Sequence, residues 1–276
     1  MATTPQRPGF PARIDLGAGS KRGALGNRAP APRRPAPPAV APHLTAAPVG
    51  ASPPVVTPVR DAVPARARMV QLLAADGISD AQVLRAMGLV DRHRFVDPAL
   101  AAQAYEDTAL PIGLGQTISK PSVVARMVEL LLQGGLRGDD GRLGRVLDIG
   151  TGCGYQAVLL GQLAAEVYSI ERLRDLHEKA RANLRPLRIA NVHLILGDGV
   201  AGFATGAPYA GIIAAAGGEA VPNAWIEQLA YGGRIVAPVA AGAGQQALMV
   251  IDKSRQGVQQ TLLEAVNFVP LKSGVV

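Results

Sequence analysis

Two stretches of this chain hold residue types that could do chemistry. In Val146-Leu147-Asp148-Ile149-Gly150-Thr151-Gly152-Cys153-Gly154-Tyr155-Gln156, an apolar strand carries an acid near its end and runs into a glycine-dense turn that opens a helix. At such a turn main-chain N–H groups and a helix N-terminus face outward, and missing Cβ atoms let a ligand sit against the backbone. The glycines alone are as compatible with a tight structural turn as with a binding loop. The next unit favours binding. Glu166-Val167-Tyr168-Ser169-Ile170-Glu171 reads as a second strand ending in a carboxylate, 21 positions after Gly150, where an acid can accept hydrogen bonds from ribose hydroxyls. The glycines run G-x-G-x-G behind an acid, unlike the G-x-G-x-x-G of dinucleotide loops.

The second stretch, Tyr105-Glu106-Asp107-Thr108-Ala109-Leu110-Pro111-Ile112-Gly113-Leu114-Gly115-Gln116-Thr117-Ile118-Ser119-Lys120-Pro121, has no sustained period and mixes glycine, proline and hydroxyls. It is expected to be a long connection, and connections of that length inside a compact domain usually carry function. Ser119 precedes a helix expected over Ser122 to Gln133, so its hydroxyl is either an N-cap or a functional group. The single cysteine, Cys153, lies in the glycine turn; a small apolar side chain packed under the turn is favoured over a nucleophile. The four histidines, His43, His93, His177 and His193, show no metal-ligand spacing, and no metal is expected.

These residues need a scaffold. From residue 145 strands are expected near 145–149, 166–171, 191–196, 209–215 and 233–239, and helices near 155–165, 172–185, 199–204 and 220–230. That alternation implies an α/β fold, a doubly wound, mostly parallel sheet covered on both faces. Gln246 to Asp252 and Gln259 to Pro270 read as an antiparallel hairpin on its edge. Ligands of such folds bind at the carboxyl ends of the strands, so Asp148, Glu171 and Asp198 are expected to face one crevice. Two short helices form an N-terminal extension, the second capped by Ser79 with Gln82 at the capping-box position.

Charge and composition divide the chain into residues 1–64 and 65–276. Residues 1–64 carry 14 of the 22 prolines and a net charge of +6 out of the whole chain's +7. With few large apolar side chains, this segment is expected to be a disordered, polyproline-like tail. The remainder is nearly neutral, so the pI near 10 does not imply specific nucleic-acid binding. One cysteine fits a reducing compartment. With no long apolar run and no apolar leader core, the expectation is a cytoplasmic protein without membrane attachment, and a monomer.

The glycine turn resembles that of class I S-adenosyl-L-methionine (AdoMet) methyltransferases. The Leu110–Pro121 stretch, with Arg94-Phe95-Val96-Asp97, Gly197-Asp198-Gly199, Gly232-Gly233-Arg234-Ile235-Val236-Ala237-Pro238-Val239 and Phe268-Val269-Pro270-Leu271, resembles the protein-L-isoaspartate (D-aspartate) O-methyltransferase family across about 66–276. That resemblance implies methyl transfer from AdoMet to the free α-carboxylate of L-isoaspartyl residues in damaged proteins, which initiates repair through a succinimide. It implies Ser119 as the catalytic hydroxyl, with Thr117 and Ile118 beside it and Phe268, Val269 and Pro270 covering the substrate. Asp148, Gly150, Thr151, Gly152 and Gly154 would form the AdoMet loop, Glu171 would hold the ribose, and Asp198 with Gly199 would meet the adenine. Two departures stand out. Tyr209-Ala210-Gly211-Ile212 replaces a common Phe-Asp-Ala-Ile, removing an acid expected near the site, and Asn267 replaces a frequent arginine.

Other readings are a methyltransferase of another substrate class and a non-catalytic AdoMet-binding protein. Amine methylation is disfavoured because Ala214-Ala215-Ala216-Gly217-Gly218 stands where an Asn/Asp-Pro-Pro-aromatic turn would be. A nicotinamide oxidoreductase is disfavoured by the glycine spacing.

Overall fold

The structure, a computed structural model, describes residues 62–276 except Gly135 and Ala243. The expected tail thus lies outside the described residues up to position 61. Residues 62–64 belong instead to helix α1 (Ala62–Ala75), whose first turn tolerates Pro64 because its N–H groups lack intrahelical partners. Helix α2 (Ala81–Leu89) is capped by Asp80, not Ser79: the Asp80 carboxylate accepts from Gln82 N at 2.8 Å and Val83 N at 3.2 Å. A carboxylate also complements the helix dipole. Ser79 is drawn away by Glu129, which accepts its main-chain N–H at 2.7 Å and its hydroxyl at 3.2 Å.

The stretch expected to be irregular contains a hairpin, β1 (Leu110–Gly113) and β2 (Gln116–Ile118). Strands of four and three residues are too short to show a period. The turn between them holds even Leu114 at φ 52°, a conformation uncommon outside glycine. Helix α3 (Pro121–Gly134) follows, and Asp107 caps it by accepting both the main-chain N–H and the hydroxyl of Ser122 at 2.8 Å. The capping role open to Ser119 is therefore filled by Asp107.

Strand β3 (Leu143–Ile149), helix α4 (Tyr155–Leu163), strand β4 (Ala164–Glu171), helix α5 (Arg174–Leu184) and strand β5 (Val192–Leu196) build one half of the sheet. Strand β6 (Tyr209–Ala214), helix α6 (Asn223–Gln228), strand β7 (Leu229–Ala240), strand β8 (Gln246–Ser254) and strand β9 (Gly257–Val266) build the other. The seven strands lie in the order β5-β4-β3-β6-β7-β8-β9, parallel through β7, with β8 and β9 antiparallel. After β5 the chain returns to the far side of β3, so the switch point lies between β3 and β6, where Ala215 N donates to Ile149 O at 2.8 Å.

Strand alternation divides the core. Val146, Ile213 and Val236 join a cluster with residues of α1 to α5, whereas Leu147, Ile149, Ile212 and Ile235 join Trp225 of α6 on the opposite face. Among the described residues no helix is long and apolar enough to cross a membrane.

Glu129 of α3 ties the helical extension to the sheet's cover. Almost fully buried, it accepts from Ser79, from Asp80 N at 2.9 Å and from Arg126. Replacing it with alanine removes the one buried acceptor that these partly exposed donors share. Glu129→Ala should therefore lower the unfolding free energy by about 1–2 kcal/mol, read from urea midpoints, and an unchanged midpoint would contradict this account.

Candidate active site

The glycine turn leaves β3 over a buried polar chain. Asp148 is fully buried; Gln156 Nε2 donates to its Oδ1 at 2.8 Å and the Ser169 hydroxyl donates to its Oδ2 at 2.7 Å. The Thr151 and Ser169 hydroxyls meet at 2.7 Å. The turn, β4 and α4 are thus joined through one carboxylate. Burial pushes the Asp148 carboxyl up to about 6; the two hydrogen bonds oppose that rise, and the neighbouring Glu171 charge adds to it.

Asp148 therefore does not face the crevice. It is the penultimate residue of β3, and pleating turns it toward α4. Glu171 ends β4 and does reach the crevice, where its Oε2 accepts from Gly152 N at 2.9 Å and its Oε1 from Arg172 N and Leu173 N at 2.9 and 3.0 Å. A carboxylate has about four lone-pair sites, so one on Oε2 stays free for a hydroxyl. Asp198 does not line the cavity; its Oδ1 accepts from Val200 N and its Oδ2 from Gly274 N, both at 2.8 Å. Its neighbour Gly199 does reach the cavity, with its carbonyl held by Trp225 Nε1 at 2.8 Å.

The cavity at these strand ends has a volume of about 450 Å³. One wall is the turn, through Gly150, Thr151 and Gly152, with Glu171 beside it; the opposite wall is the β1–β2 hairpin, through Thr117, Ile118 and Ser119. Gly152 sits so close to the hairpin that a Cβ would lie 3.1 Å from Ile112 Cδ1. Gly154 does not line the cavity. Its φ is 91°, and a Cβ there would stand 2.5 Å from Leu184 Cδ1, so this glycine lets the turn pack on α5. Cys153 is buried, and burial pushes its thiol up, which suits packing and not nucleophilic attack. No group of three or more His, Cys, Asp or Glu able to hold a metal occurs among the described residues.

The third wall is the C-terminal segment. Gly217 N donates to Val269 O at 2.9 Å and Leu271 N to Gly217 O at 2.8 Å. The chain then crosses to the β4 side, where Arg172 Nε donates to Gly274 O at 2.9 Å and Val276 N to Arg172 O at 2.9 Å. Val269 and Pro270 line the cavity as expected, and so do Leu271 and Lys272, which sequence reasoning missed. Phe268 does not. It packs against the helical side of the core, with its N–H on Gln246 Oε1 at 2.7 Å. Ser169 was also missed; its position two residues before Glu171, on the face shared with Asp148, was the available signal. The acid replaced by Ala210 was expected near the site, yet Ala210 lies at the amino end of β6, opposite the cavity, and Asn267 is exposed.

A doubly wound sheet with this turn and this strand-end carboxylate defines a Rossmann-like methyltransferase. The solved structures agree. A protein-L-isoaspartate O-methyltransferase, 27% identical, superposes with a TM-score of 0.66 over 76% of this chain and 67% of its own. A Plasmodium falciparum structure described as a putative member of the same group, in complex with S-adenosyl-L-homocysteine, is 24% identical, with a TM-score of 0.64 over 75% of this chain and 98% of its own. The family model for protein-L-isoaspartate (D-aspartate) O-methyltransferase matches residues 65–276, and the chain belongs to that family. Proteins named protein-L-isoaspartate O-methyltransferase from Methylibium petroleiphilum and Leptothrix cholodnii are each 60% identical over 211 residues, 76% of this chain and 77% and 74% of theirs.

The buried chain has a measurable signature. Because the folded state holds the Asp148 proton up to about 6, above its ordinary value, stability from this group is full below the ordinary carboxylate range and lost as pH rises through 6. Asp148→Asn removes that titration. Denaturant midpoints should show wild type losing ground to the variant between pH 3 and 7, by up to roughly 3 kcal/mol. Parallel profiles would sink the assignment.

Proposed function

We propose that residues 65–276 form a carboxyl methyltransferase domain acting on L-isoaspartyl residues in proteins and peptides, with AdoMet as methyl donor. The observation that carries this reading is the convergence of Ser119, the glycine turn and Glu171 on one cavity. The cavity fits such a donor: its volume falls in the range of small-molecule sites, about 300–1,000 Å³. The close approach at Gly152 and the free lone pair on Glu171 provide the groups an adenosine ribose needs. Gly199 supplies the surface for the adenine, with Asp198 holding the backbone around it.

When bound, AdoMet supplies a methyl group on a positively charged sulfur. The isoaspartyl α-carboxylate is ionised at neutral pH, so no general base is required. Ser119 donates a hydrogen bond to one carboxylate oxygen, and the other attacks the methyl carbon in line with the departing sulfur. The new O–C bond forms as the S–C bond breaks, two opposite charges cancel, and no proton moves. Catalysis is then positional: Thr117, Ile118, Val269 and Pro270 hold the peptide and exclude water. The resulting ester closes to a succinimide with loss of methanol, and hydrolysis returns part of it as aspartate.

The protein is further proposed to act as a cytoplasmic monomer, consistent with its single cysteine and near-neutral domain. The test is methyl transfer from labelled AdoMet to an isoaspartyl peptide and its aspartyl twin. Only the isoaspartyl peptide should be labelled. Ser119→Ala should lower kcat/KM by about tenfold to a hundredfold while S-adenosyl-L-homocysteine affinity stays within about threefold. Equal labelling of both peptides would sink the substrate assignment, and an unaffected Ser119→Ala enzyme would sink the role of Ser119.

A further inference from the structure

Arg92 is fully buried, yet it forms no ion pair with a described residue. It lies in a 3₁₀ turn, Arg92–Phe95, between α2 and the β1–β2 hairpin. Its guanidinium binds carbonyls instead. Nε donates to Ala104 O at 2.7 Å, and Nη2 donates to Ser119 O at 2.7 Å with a longer contact to Thr108 O at 3.5 Å. Nη1 is buried and has no hydrogen-bond partner among the described residues. The guanidinium carbon stands 5.0 Å from the centre of the Tyr155 ring, within cation–π range. Tyr155 opens α4 directly behind the glycine turn and lines the cavity. Burial pushes its phenol up to about 12, so the ring is a neutral face and not a counter-ion.

Isolated buried charges are expensive, and a structural peg between loops could be apolar. What the guanidinium alone supplies is a rigid planar fork that holds separate carbonyls while its charge sits over an aromatic ring. One of those carbonyls belongs to Ser119, and the ring belongs to the first residue after the glycine turn. The geometry points to Arg92 as the positioning residue that fixes Ser119 relative to the methyl-donor site, by holding its carbonyl from behind and seating its charge over the Tyr155 ring. Its charge, unpaired among the described residues, also lies behind the segment that would receive the substrate carboxylate. This inference rests on the proposed role of Ser119.

Loss of the fork should loosen the hydroxyl without emptying the donor site. Lysine keeps the charge and cannot bridge the same carbonyls. Arg92→Lys should therefore lower kcat for the isoaspartyl peptide by about tenfold or more, with S-adenosyl-L-homocysteine affinity by calorimetry within about threefold of wild type. The decisive readout is a double-mutant cycle with Ser119→Ala. If Arg92 acts through Ser119, Arg92→Lys should cost less than about threefold further once the hydroxyl is gone. An equal loss in both backgrounds, or an equal loss of cofactor affinity, would overturn the inference and leave the Ser119 reading intact. If Ser119→Ala alone has no effect, both fall. Should the lysine variant not fold, the wild-type protein decides: loaded with S-adenosyl-L-homocysteine, its Arg92 Nε–H resonance should shift on adding the isoaspartyl peptide and not the aspartyl twin. No shift would overturn the proposal.

Discussion

A parallel sheet brings its strand ends to one edge, and where β6 returns to the far side of β3 that edge opens into a crevice. The rest of the active region serves to close it. The glycine turn folds in from β3, the β1–β2 hairpin comes from the helical side, and the C-terminal segment crosses from Gly217 to Arg172. Each closing segment is held by main-chain hydrogen bonds or by a side chain reaching a carbonyl. Lys179 Nζ, for example, donates to Ile112 O at 2.8 Å and pins the hairpin to α5.

The polar chain beneath the turn follows from the same constraint. A turn with several glycines has few side chains of its own to anchor it, and glycine carries a large conformational entropy into the unfolded state. Asp148, Ser169, Thr151 and Gln156 compensate from below, all of them buried. Above the turn, Gly152 N–H is held by Glu171. The carboxylate expected to meet the ribose therefore also shapes the loop that would meet the rest of the donor. Removing it would disturb loop and ligand together, so a mutation there cannot separate the two roles.

Much of this site was legible in the sequence because spacing and residue type fix local geometry. Gly150, Thr151 and Gly152 follow a strand, Glu171 ends the next strand, and Ser119 precedes a helix, and all reach the cavity. Two of the misreadings share one cause. Asp148 and Asp198 were placed by their nearness to strand ends, which locates the backbone but not the direction of the side chain. Pleating sends Asp148 into the core, and the C-terminal segment, distant in sequence, claims Asp198 through Gly274 N. Phe268, placed by the resemblance of the terminal segment, lies elsewhere for a different reason: Gln246 on β8 holds its main-chain N–H and its ring packs on the core. The hairpin was read as irregular because three- and four-residue strands carry no period. Contacts between remote segments leave no trace in local pattern.

The chemistry explains why so little of the site needs to be unusual. Transfer between a carboxylate and a sulfonium cancels charge and moves no proton, so the protein has no need of a histidine pair, an activated thiol or a metal. What it must supply is alignment within a fraction of an ångström and a dry path for the methyl group. Alignment is a property of backbone, and here the backbone of the serine segment is fixed from behind by a guanidinium that packs against the start of the helix following the donor turn. Position is thus set in part by groups outside the cavity, whose wall carries the Ser119 hydroxyl on the hairpin side and the Glu171 carboxylate beside the glycine turn.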